Sequence, residues 1–426
     1  MPRLTRELED SLYSRGIRPI IVQSPRCNEI WHEISSLIPT NIKGYIKTLF
    51  PVMAGAAEAA LADPKLIPMF NLLSFPATPL IIEQLAQDHR VDTIFPDRIM
   101  NAFKKIPDQG VYIDGLNNKK FTTTYWTKKL LGIAEANVEG WTGKGVKVVI
   151  ADTGAGLHQQ IPFVQHQTVM RGQYTDGSGH GTYCATVIGG RDAQDPAFRV
   201  SCSGMAPDAD LISVKCLGYI IGAGKESDFL AALQKAAELG ADIVNVSLGS
   251  DQVPGRIEDD PTVAAINMLT EQNRICVVAS GNTGPKAGTL NSPGIAPDAL
   301  TVGALDEITG DLADFSSRGP SPWSEDPKPD VIAPGVRVDS GTINLLDIQG
   351  DRRPQRFSYL CGTSIAAPHV AGLLACARQM LLSKGVLLDT KLVKEICQMY
   401  GEDKNNDRGW GMLTFDHFKS YIQEHT

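Results

Sequence analysis

From about Gly145 onward, uninterrupted apolar runs alternate with segments in which apolar residues recur at helical spacing. The runs are VKVVIAD, ADLISVKCL, ADIVNVSLG, RICVVASGN and ALTVGAL, and the helical segments lie at about 226–240, 261–273, 364–381 and 389–400. Strands without polar alternation must be covered on both faces, as happens when helices flank a parallel sheet. The pattern therefore predicts an α/β domain in three layers, with reactive side chains at the carboxyl ends of the strands.

The first part of the chain has a different order of elements. RPIIVQS predicts a strand, NEIWHEISSLI a helix, MFNLLSFPATPL two strands, IIEQLAQDH a helix and VDTIFPD a strand. This order is typical of a small α+β domain of the ferredoxin-like, split βαβ type. Residues 41–64 are interpreted as a helical insertion, and the stretch IPDQGVYIDGLNNKKFTTT as a linker. We therefore expect one domain with its linker in residues 1–120 and a second in residues 121–426.

Composition and charge narrow the class of protein. The 426 residues are 42% hydrophobic and 21% charged, which is ordinary for a globular chain of two or three domains. The net charge is −8 and no run is rich in lysine or arginine, so nucleic acid is not an expected partner. No segment is expected to reach the length of a membrane span, the nearest candidate being 46–61, so no membrane partner is expected.

Two further features predict a cytoplasmic location. The amino terminus carries scattered charges and no apolar core, so a signal peptide is not expected. The eight cysteines form no C-x-x-C motif, and several lie inside apolar runs. This distribution favours free, buried thiols in a reducing compartment.

Three residues of the types needed for nucleophilic catalysis lie at predicted sheet edges or helix starts. Asp152 ends the run VVIAD, His180 lies among glycines in DGSGHGTYCATVIGG, and Ser364 follows Gly-Thr in FSYLCGTSIAAPHVAG. Each has a structural alternative: the aspartate as a turn former, the histidine as a satisfied core residue, and the serine as a helix N-cap. Together they are the types required for an orienting carboxylate, a general base and a nucleophile.

The surroundings of Ser364 strengthen this interpretation. Proline is tolerated in the first turn of a helix, so Pro368 predicts a helix that begins close to Ser364, with Pro368 still in its first turn. Ser364 would then lie at the positive end of the helix dipole, where developing negative charge is favoured. Asn282, in VVASGNTGP, follows another buried strand; its amide could donate to an oxyanion, although a turn-supporting asparagine is the commoner case.

The order Asp, His, Ser differs from the α/β-hydrolase order, and no G-x-S-x-G motif is present. The blocks DTG, GHGT, SLG, SGN and GTSIAAPHVAG resemble those of the subtilisin-like serine proteases. FSSRGP and KPDVIAPG are similar to the stretch that precedes the nucleophile in that family. The resemblance runs from about residue 140 to the C terminus, and it is strongest to the intracellular AprX-type alkaline proteases of bacilli.

The resemblance implies a serine endopeptidase in which Ser364 is the nucleophile, His180 the general base and Asp152 the carboxylate that holds the imidazole. Asn282 would donate to the oxyanion beside the Ser364 N–H. The implied substrate-binding residues are Ser247, Leu248, Gly249, Gly281 and Asn291, with a second edge near Gly222–Gly224. Asn291 aligns with the floor of the pocket for the residue before the scissile bond.

The first part of the chain resembles a subtilase propeptide, which implies a self-processing zymogen whose partners are its own propeptide and protein or peptide substrates. No cofactor is implied for catalysis. A structural calcium ion is possible, but His158-Gln159-Gln160 stands where the family usually has His-Pro-Asp, so its usual site looks altered. Cys361 is interpreted as a small core residue rather than a redox switch. Two alternatives remain: a non-catalytic protease-like regulatory protein, and an esterase with the same triad.

Overall fold

The computed structural model describes residues 3–5, 18–34, 63–102, 122–170, 174–196, 199–218, 222–343 and 357–425. Nearly all of the predicted insertion at 41–64, and most of the predicted linker, lie outside the described residues.

A five-stranded sheet and two helices form the N-terminal part. They are β1 (Arg3–Leu4), β2 (Arg18–Gln23), α1 (Cys27–Ile34), β3 (Lys65–Ile67), β4 (Leu72–Ala77), α2 (Pro79–Leu85) and β5 (Thr93–Pro96), with a 3-10 turn at Pro68–Phe70. The strand order is β1-β5-β2-β4-β3. Neighbours are antiparallel except β1 and β5, which are parallel. From β2 to β5, strand, helix, two strands, helix and strand follow one another in the predicted order. The prediction that MFNLLSFPATPL holds both middle strands was wrong, because it contains β4 while β3 lies just before it.

The remaining strands and helices belong to a larger α/β unit. The strands are β6 (Ile99–Ala102), β7 (Thr122–Thr123), β8 (Lys147–Asp152), β9 (Gln165–Thr168), β10 (Ala193–Asp195), β11 (Val200–Cys202), β12 (Asp210–Lys215), β13 (Ala223–Lys225), β14 (Ile243–Val246), β15 (Leu248–Gly249), β16 (Ile275–Ala279), β17 (Leu300–Leu305), β18 (Val331–Pro334), β19 (Val338–Gly341) and β20 (Phe357–Leu360). The helices are α3 (Thr124–Leu130), α4 (Ile133–Val138), α5 (His180–Gly189), α6 (Glu226–Glu238), α7 (Pro261–Glu271), α8 (Thr363–Ser383), α9 (Thr390–Tyr400) and α10 (Phe415–His425), with a 3-10 turn at Ile257–Asp259.

Seven of these strands form a parallel sheet in the order β18-β17-β16-β14-β8-β12-β9. The prediction of a parallel sheet is therefore confirmed, and the five apolar runs supply its inner strands. The sequence analysis missed the two edge strands, β9 and β18. The sequence of β9, QHQT, lies at the rim of the sheet and is only partly buried, so it needs no apolar run.

Both faces of the sheet are covered by helices. Successive residues of each inner strand point to opposite faces, so each strand contributes side chains to both layers. Val148 and Ile150 of β8 pack in one cluster with Ala366 of α8. Val149 of β8 packs in a second cluster with Phe229 of α6. The three-layer arrangement brings the starts of α5 and α8 to the carboxyl end of β8.

Helix α8 is the central helix of one layer. Of the described helices it is the one that is long and apolar enough to cross a membrane. In the apolar 18-residue stretch that meets this test, 89% is buried inside the protein. The expectation that no segment has the length of a membrane span was therefore wrong, because α8 has both the length and the apolar composition of one. The burial of α8 is that of a core helix.

The N-terminal sheet is also covered on both faces. Ile20 and Phe75 pack with Ile82 of α2 on one side. On the other side, Ile21 and Phe95 belong to the hydrophobic cluster that contains α6. One face of this sheet is therefore buried by its own helices and the other by the larger unit.

Candidate active site

Asp152 and His180 form a buried pair at the carboxyl end of β8. The Nδ1 atom of His180 lies 2.8 Å from Oδ1 and 3.0 Å from Oδ2 of Asp152. Both side chains are buried, and the Thr153 backbone N–H also donates to Asp152 Oδ1 at 2.6 Å. Nε2 of His180 is buried and has no hydrogen-bond partner among the described residues. The imidazole is therefore held through one nitrogen, and the other is available to a substrate or a nucleophile.

Asp176, which the sequence analysis did not single out, holds the start of α5. Its carboxylate accepts from the backbone N–H groups of Gly179 and Thr182, each at 2.9 Å, and from Thr153 Oγ1 at 2.9 Å. A carboxylate at a helix start is stabilised by these unpaired N–H groups. Asp176 thus ties the loop after Asp152 to the helix that begins with His180. The only signal in the sequence is an aspartate four residues before the histidine.

Ser364 lies in the first turn of α8, at the same end of the sheet. The helix begins at Thr363, and Gly362 is its N-cap with a φ of +152°, so Ser364 is not an N-cap. Pro368 lies inside the helix, five residues beyond Thr363. The prediction that Pro368 belongs to the first turn was therefore wrong.

The position of Pro368 has a different role. Because proline has no N–H, the carbonyl of Ser364 loses its intrahelical donor. Ser247 Oγ donates to this carbonyl at 3.0 Å, and the Cys184 thiol lies 3.6 Å from it. The Ser364 carbonyl therefore contacts Ser247, between β14 and β15, and Cys184 of α5 instead of an N–H of its own helix.

Asn282 is oriented by the residue before Ser364. Its Oδ1 accepts from the Thr363 N–H at 2.9 Å and from Thr363 Oγ1 at 3.0 Å. Its Nδ2 is buried and has no partner among the described residues. A Cβ placed on Gly362 would lie 2.9 Å from Ser364 Oγ and 3.4 Å from Asn282 Nδ2. A side chain at position 362 would therefore lie against both the Ser364 hydroxyl and the Asn282 amide, and glycine avoids this contact.

We expect Asn282→Asp to lower kcat by about 10² to 10³, the loss known for an oxyanion donor of subtilisin, with KM little changed. Aspartate keeps an oxygen to accept from the Thr363 N–H but replaces the Nδ2 donor by an acceptor. Steady-state hydrolysis of one peptide by wild type, Asn282→Asp and Asn282→Ala checks this. If Asn282→Asp retains full kcat while Asn282→Ala loses it, the asparagine only supports the loop.

The predicted substrate edges lie on either side of strand β6. Antiparallel pairing joins Asn101 to Gly249 on one side and Met100 to Gly224 on the other. The Ala102 N–H donates to Gly222 O at 2.7 Å. Chain segments from the N-terminal part therefore occupy the position between β13 and β15 that an extended peptide would take. Leu248 and Gly249 make these contacts, whereas the side chain of Ser247 contacts Ser364 O.

The end of β6 lies close to the catalytic loops. A Cβ on Gly222 would lie 3.1 Å from Ala102 Cβ, 3.5 Å from Thr153 Cγ2 and 3.7 Å from Ser178 Oγ. Thr153 follows Asp152, and Ser178 precedes His180 by two residues. Ala102, the last residue of β6, therefore lies close to the loops that carry Asp152 and His180.

Asn291 lies against Gly281, the residue before Asn282. A Cβ on Gly281, whose φ is +111°, would fall 1.6 Å from Asn291 Oδ1. Asn291 is buried, its Nδ2 donates to Asp251, and its Oδ1 accepts from Ser317 Oγ at 3.3 Å. The asparagine amide therefore fills the space beside Gly281, next to Asn282.

We expect Asn291→Gly to shift preference toward Phe and Tyr before the scissile bond, and away from Leu, Met and Gln. Removing a few heavy atoms from a pocket floor typically changes discrimination by about 10-fold to 200-fold in relative kcat/KM. Profiling one peptide library with wild type and Asn291→Gly measures this change. Equal preference for Phe and Tyr in both proteins would remove Asn291 from the pocket.

Gln160 lies in the altered calcium motif, and its side-chain amide makes hydrogen bonds within the protein. Gln160 is buried, and its Nε2 donates to Arg191 O at 3.0 Å and Cys202 O at 3.3 Å. Its Oε1 has no partner among the described residues. Gln160 thus offers one neutral amide oxygen at a position where the family motif usually has a carboxylate, which is a stronger Ca²⁺ ligand.

All eight cysteines are free, and seven are buried, as the sequence analysis predicted. Cys184 lies with Asp152 and His180 in one group of metal-ligand types. Burial raises the pKa of Cys184 well above its usual value, so the thiol stays protonated and is a poor metal ligand. Cys361 is half-buried, and its sulfur accepts from the Arg337 N–H at 3.2 Å.

The parallel sheet and the Asp, His and Ser residues at its carboxyl edge agree with comparisons to known proteins. The family model described as "Subtilase family" matches residues 143–396. The chain belongs to the subtilase family.

Three relatives show how far the similarity extends. Serine protease AprX of Bacillus subtilis (strain 168) is 32% identical over 295 residues, 64% of each chain. Subtilisin Savinase of Lederbergia lenta is 33% identical over 246 residues, 57% of this chain and 80% of the relative. Subtilisin-like protease SBT6.1 of Arabidopsis thaliana is 32% identical over 63% of this chain and 25% of its own length. The chain thus spans less than two thirds of the length of AprX and of SBT6.1.

Proposed function

We propose that this protein is a serine endopeptidase. The observation that carries the proposal is that a Cβ on Gly362 would lie 2.9 Å from Ser364 Oγ and 3.4 Å from Asn282 Nδ2, so that glycine keeps this position beside both groups clear. A scissile carbonyl placed there would be attacked by Ser364, and its oxyanion would be stabilised by Asn282 Nδ2 and a first-turn N–H of α8. His180 Nε2 would take the serine proton and pass it to the leaving amine. Asp152 would hold the Nδ1–H and stabilise the imidazolium.

A polypeptide substrate is favoured over a small ester because two strand edges flank the cleft. β13 and β15 offer backbone hydrogen bonds on both sides of an extended chain. Casein and a nitrophenyl acetate ester distinguish the alternatives. We expect rapid hydrolysis of casein and slow hydrolysis of the ester; the reverse would indicate an esterase, and neither would indicate a non-catalytic regulatory protein.

We further propose that residues 1–120 are an inhibitory propeptide domain with its linker, and that residues 121–426 are the catalytic domain. The order β5-β2-β4-β3 is the antiparallel order of a ferredoxin-like domain, and β6 continues it into the cleft. Asp97 Oδ1 accepts from the Ser227 N–H at 2.8 Å, so the N-terminal part caps α6. Lys65 Nζ pairs with Asp228 Oδ1 at 2.9 Å. These buried contacts support a docked domain that blocks the substrate path.

Self-processing predicts a new N terminus between Ala102, the end of β6, and Thr122, the start of β7. Incubating the purified full chain and reading the new N terminus by mass spectrometry tests this. Cleavage elsewhere, or none in a protein that hydrolyses casein, would contradict the zymogen proposal.

We propose that catalysis needs no metal ion, because Ser364, His180 and Asp152 would supply the nucleophile, the base and the orienting carboxylate. We expect a chelator to leave casein hydrolysis unchanged and the melting temperature little altered, since a protein gains no stability from an ion that it does not bind. Melting curves with chelator, and after added Ca²⁺, check this. Unfolding on chelation that Ca²⁺ reverses would show a calcium site elsewhere. A cytoplasmic location is proposed on the free thiols.

A further inference from the structure

Arg98 lies directly upstream of β6 and is held by acceptors from three segments of the large unit. Nε donates to Glu226 Oε2 at 2.9 Å, and Nη2 donates to Glu226 Oε1. Nη2 also lies 3.0 Å from Asp260 Oδ1, and Nη1 donates to Gln252 O at 2.8 Å. All three guanidinium nitrogens therefore have acceptors, an arrangement that a lysine ammonium cannot reproduce.

The acceptors are fixed parts of the large unit. Glu226 is the first residue of α6, and Asp260 is the N-cap of α7, where it accepts from the Thr262 N–H at 3.0 Å. The side chains of Glu226 and Asp260 are fully buried, and that of Arg98 is 2% exposed. The acceptors of Arg98 are thus carried by the starts of two helices, α6 and α7.

The Glu226 carboxylate needs a cation to remain buried. Burial raises its pKa to about 7, although Arg98 opposes the shift. Within the described residues, the hydrogen bonds recorded for this carboxylate come from Arg98. A buried carboxylate that loses its cation is strongly disfavoured. Departure of the N-terminal part would remove Arg98 and leave Glu226 and Asp260 without the guanidinium group that they hold in the intact chain.

We propose that Glu226, Asp260 and the Gln252 carbonyl form a binding site for an arginine side chain of protein substrates. The site would bind the side chain of the substrate residue that directly precedes the four residues paired with β13 and β15. In the intact chain Arg98 occupies this site. The proposal rests on the proposed protease function, in which β6 follows the substrate path. It makes arginine at that position a determinant of substrate choice.

The direct test uses the full chain after self-processing and peptides with the sequence of residues 98–105, RIMNAFKK. One peptide carries arginine at its first position, a second citrulline, which keeps the shape without the charge, and a third lysine. We expect kcat/KM to be about 10-fold or more higher for the arginine peptide than for citrulline, with lysine in between. Any N-terminal domain that remains bound competes equally with all three peptides, so the ratios are unaffected.

Two variants distinguish binding of arginine at this site from a general effect of negative charge on the protein. Glu226→Gln should reduce the ratio of arginine to citrulline to about 2-fold or less. Glu258→Gln removes the same charge from an exposed position two residues before Asp260 and should leave the ratio unchanged. Equal hydrolysis of the three peptides by wild type, or an unchanged ratio in Glu226→Gln, would overturn the proposal.

A second measurement does not require catalysis. In the full-length Ser364→Ala chain, Arg98→Ala should lower the melting temperature, and added ethylguanidinium should raise it again. The same compound should give no such rise when Glu226→Gln is also present. If no peptide is hydrolysed but this rescue occurs, the protease function fails and the guanidinium site stands. If ethylguanidinium acts equally on both variants, the site is wrong whatever the activity.

Discussion

We expect Ser364→Ala to abolish both casein hydrolysis and self-cleavage, leaving one full-length species. The loss of turnover should be about 10⁶-fold, which is the effect of removing the nucleophile of subtilisin, a member of the same family. The physical reason is that His180 Nε2 would have no hydroxyl to deprotonate. The remaining donors could bind a carbonyl but could not form an acyl-enzyme.

The control lies in the same helix. Ser383→Ala makes the same substitution at the opposite end of α8, where the side chain is exposed. This variant should process itself and hydrolyse casein as wild type does. Processing of a pure Ser364→Ala preparation at the wild-type rate would show that another residue or another protease cuts the chain.

We expect Asp152→Asn to lower kcat by about 10⁴, with KM much less affected. The amide introduced by this substitution would present an N–H to His180 Nδ1, so Nδ1 would become an acceptor and the proton would move to Nε2. A protonated Nε2 cannot accept the proton of Ser364. The fold should survive because asparagine has the same shape as aspartate, and its remaining side-chain oxygen can still accept from the Thr153 N–H.

Melting curves and steady-state kinetics with one peptide substrate measure both effects. Asp210→Asn is the matched control, because Asp210 is exposed and begins β12, the strand that pairs with β8. A wild-type kcat in folded Asp152→Asn would mean that the carboxylate does not control the imidazole. A large loss in Asp210→Asn would point to general damage to the sheet.

The sequence alone was enough to predict the inner strands of the large sheet and the candidate site. Strands covered on both faces need uninterrupted apolar runs, and these are visible without structure. Asp152, His180 and Ser364 each lie in a short motif, so their types and local surroundings were also visible. Asp152 ends a strand of this sheet, whereas His180 and Ser364 lie at the starts of two helices that pack on it.

Features that depend on contacts between segments distant in the chain could not be predicted from the sequence. Strand β6 has the sequence IMNA, and its partners lie more than a hundred residues further along the chain. Pro368 was assigned to the first helical turn because the hydroxyl of Ser247, which compensates for its missing N–H, is remote in sequence. The roles of Arg98 and Asp176 depend in the same way on groups that only the folded chain brings together.

The most direct test of the proposed catalytic site is covalent labelling by a fluorophosphonate, which reacts with an activated serine. The full chain is incubated until it hydrolyses casein, labelled, digested and analysed by mass spectrometry. We expect the adduct on Ser364, with none in Ser364→Ala and far less in His180→Ala. An active preparation that carries the label on another serine, or a folded preparation that neither hydrolyses casein nor takes the label, would contradict the proposed active site.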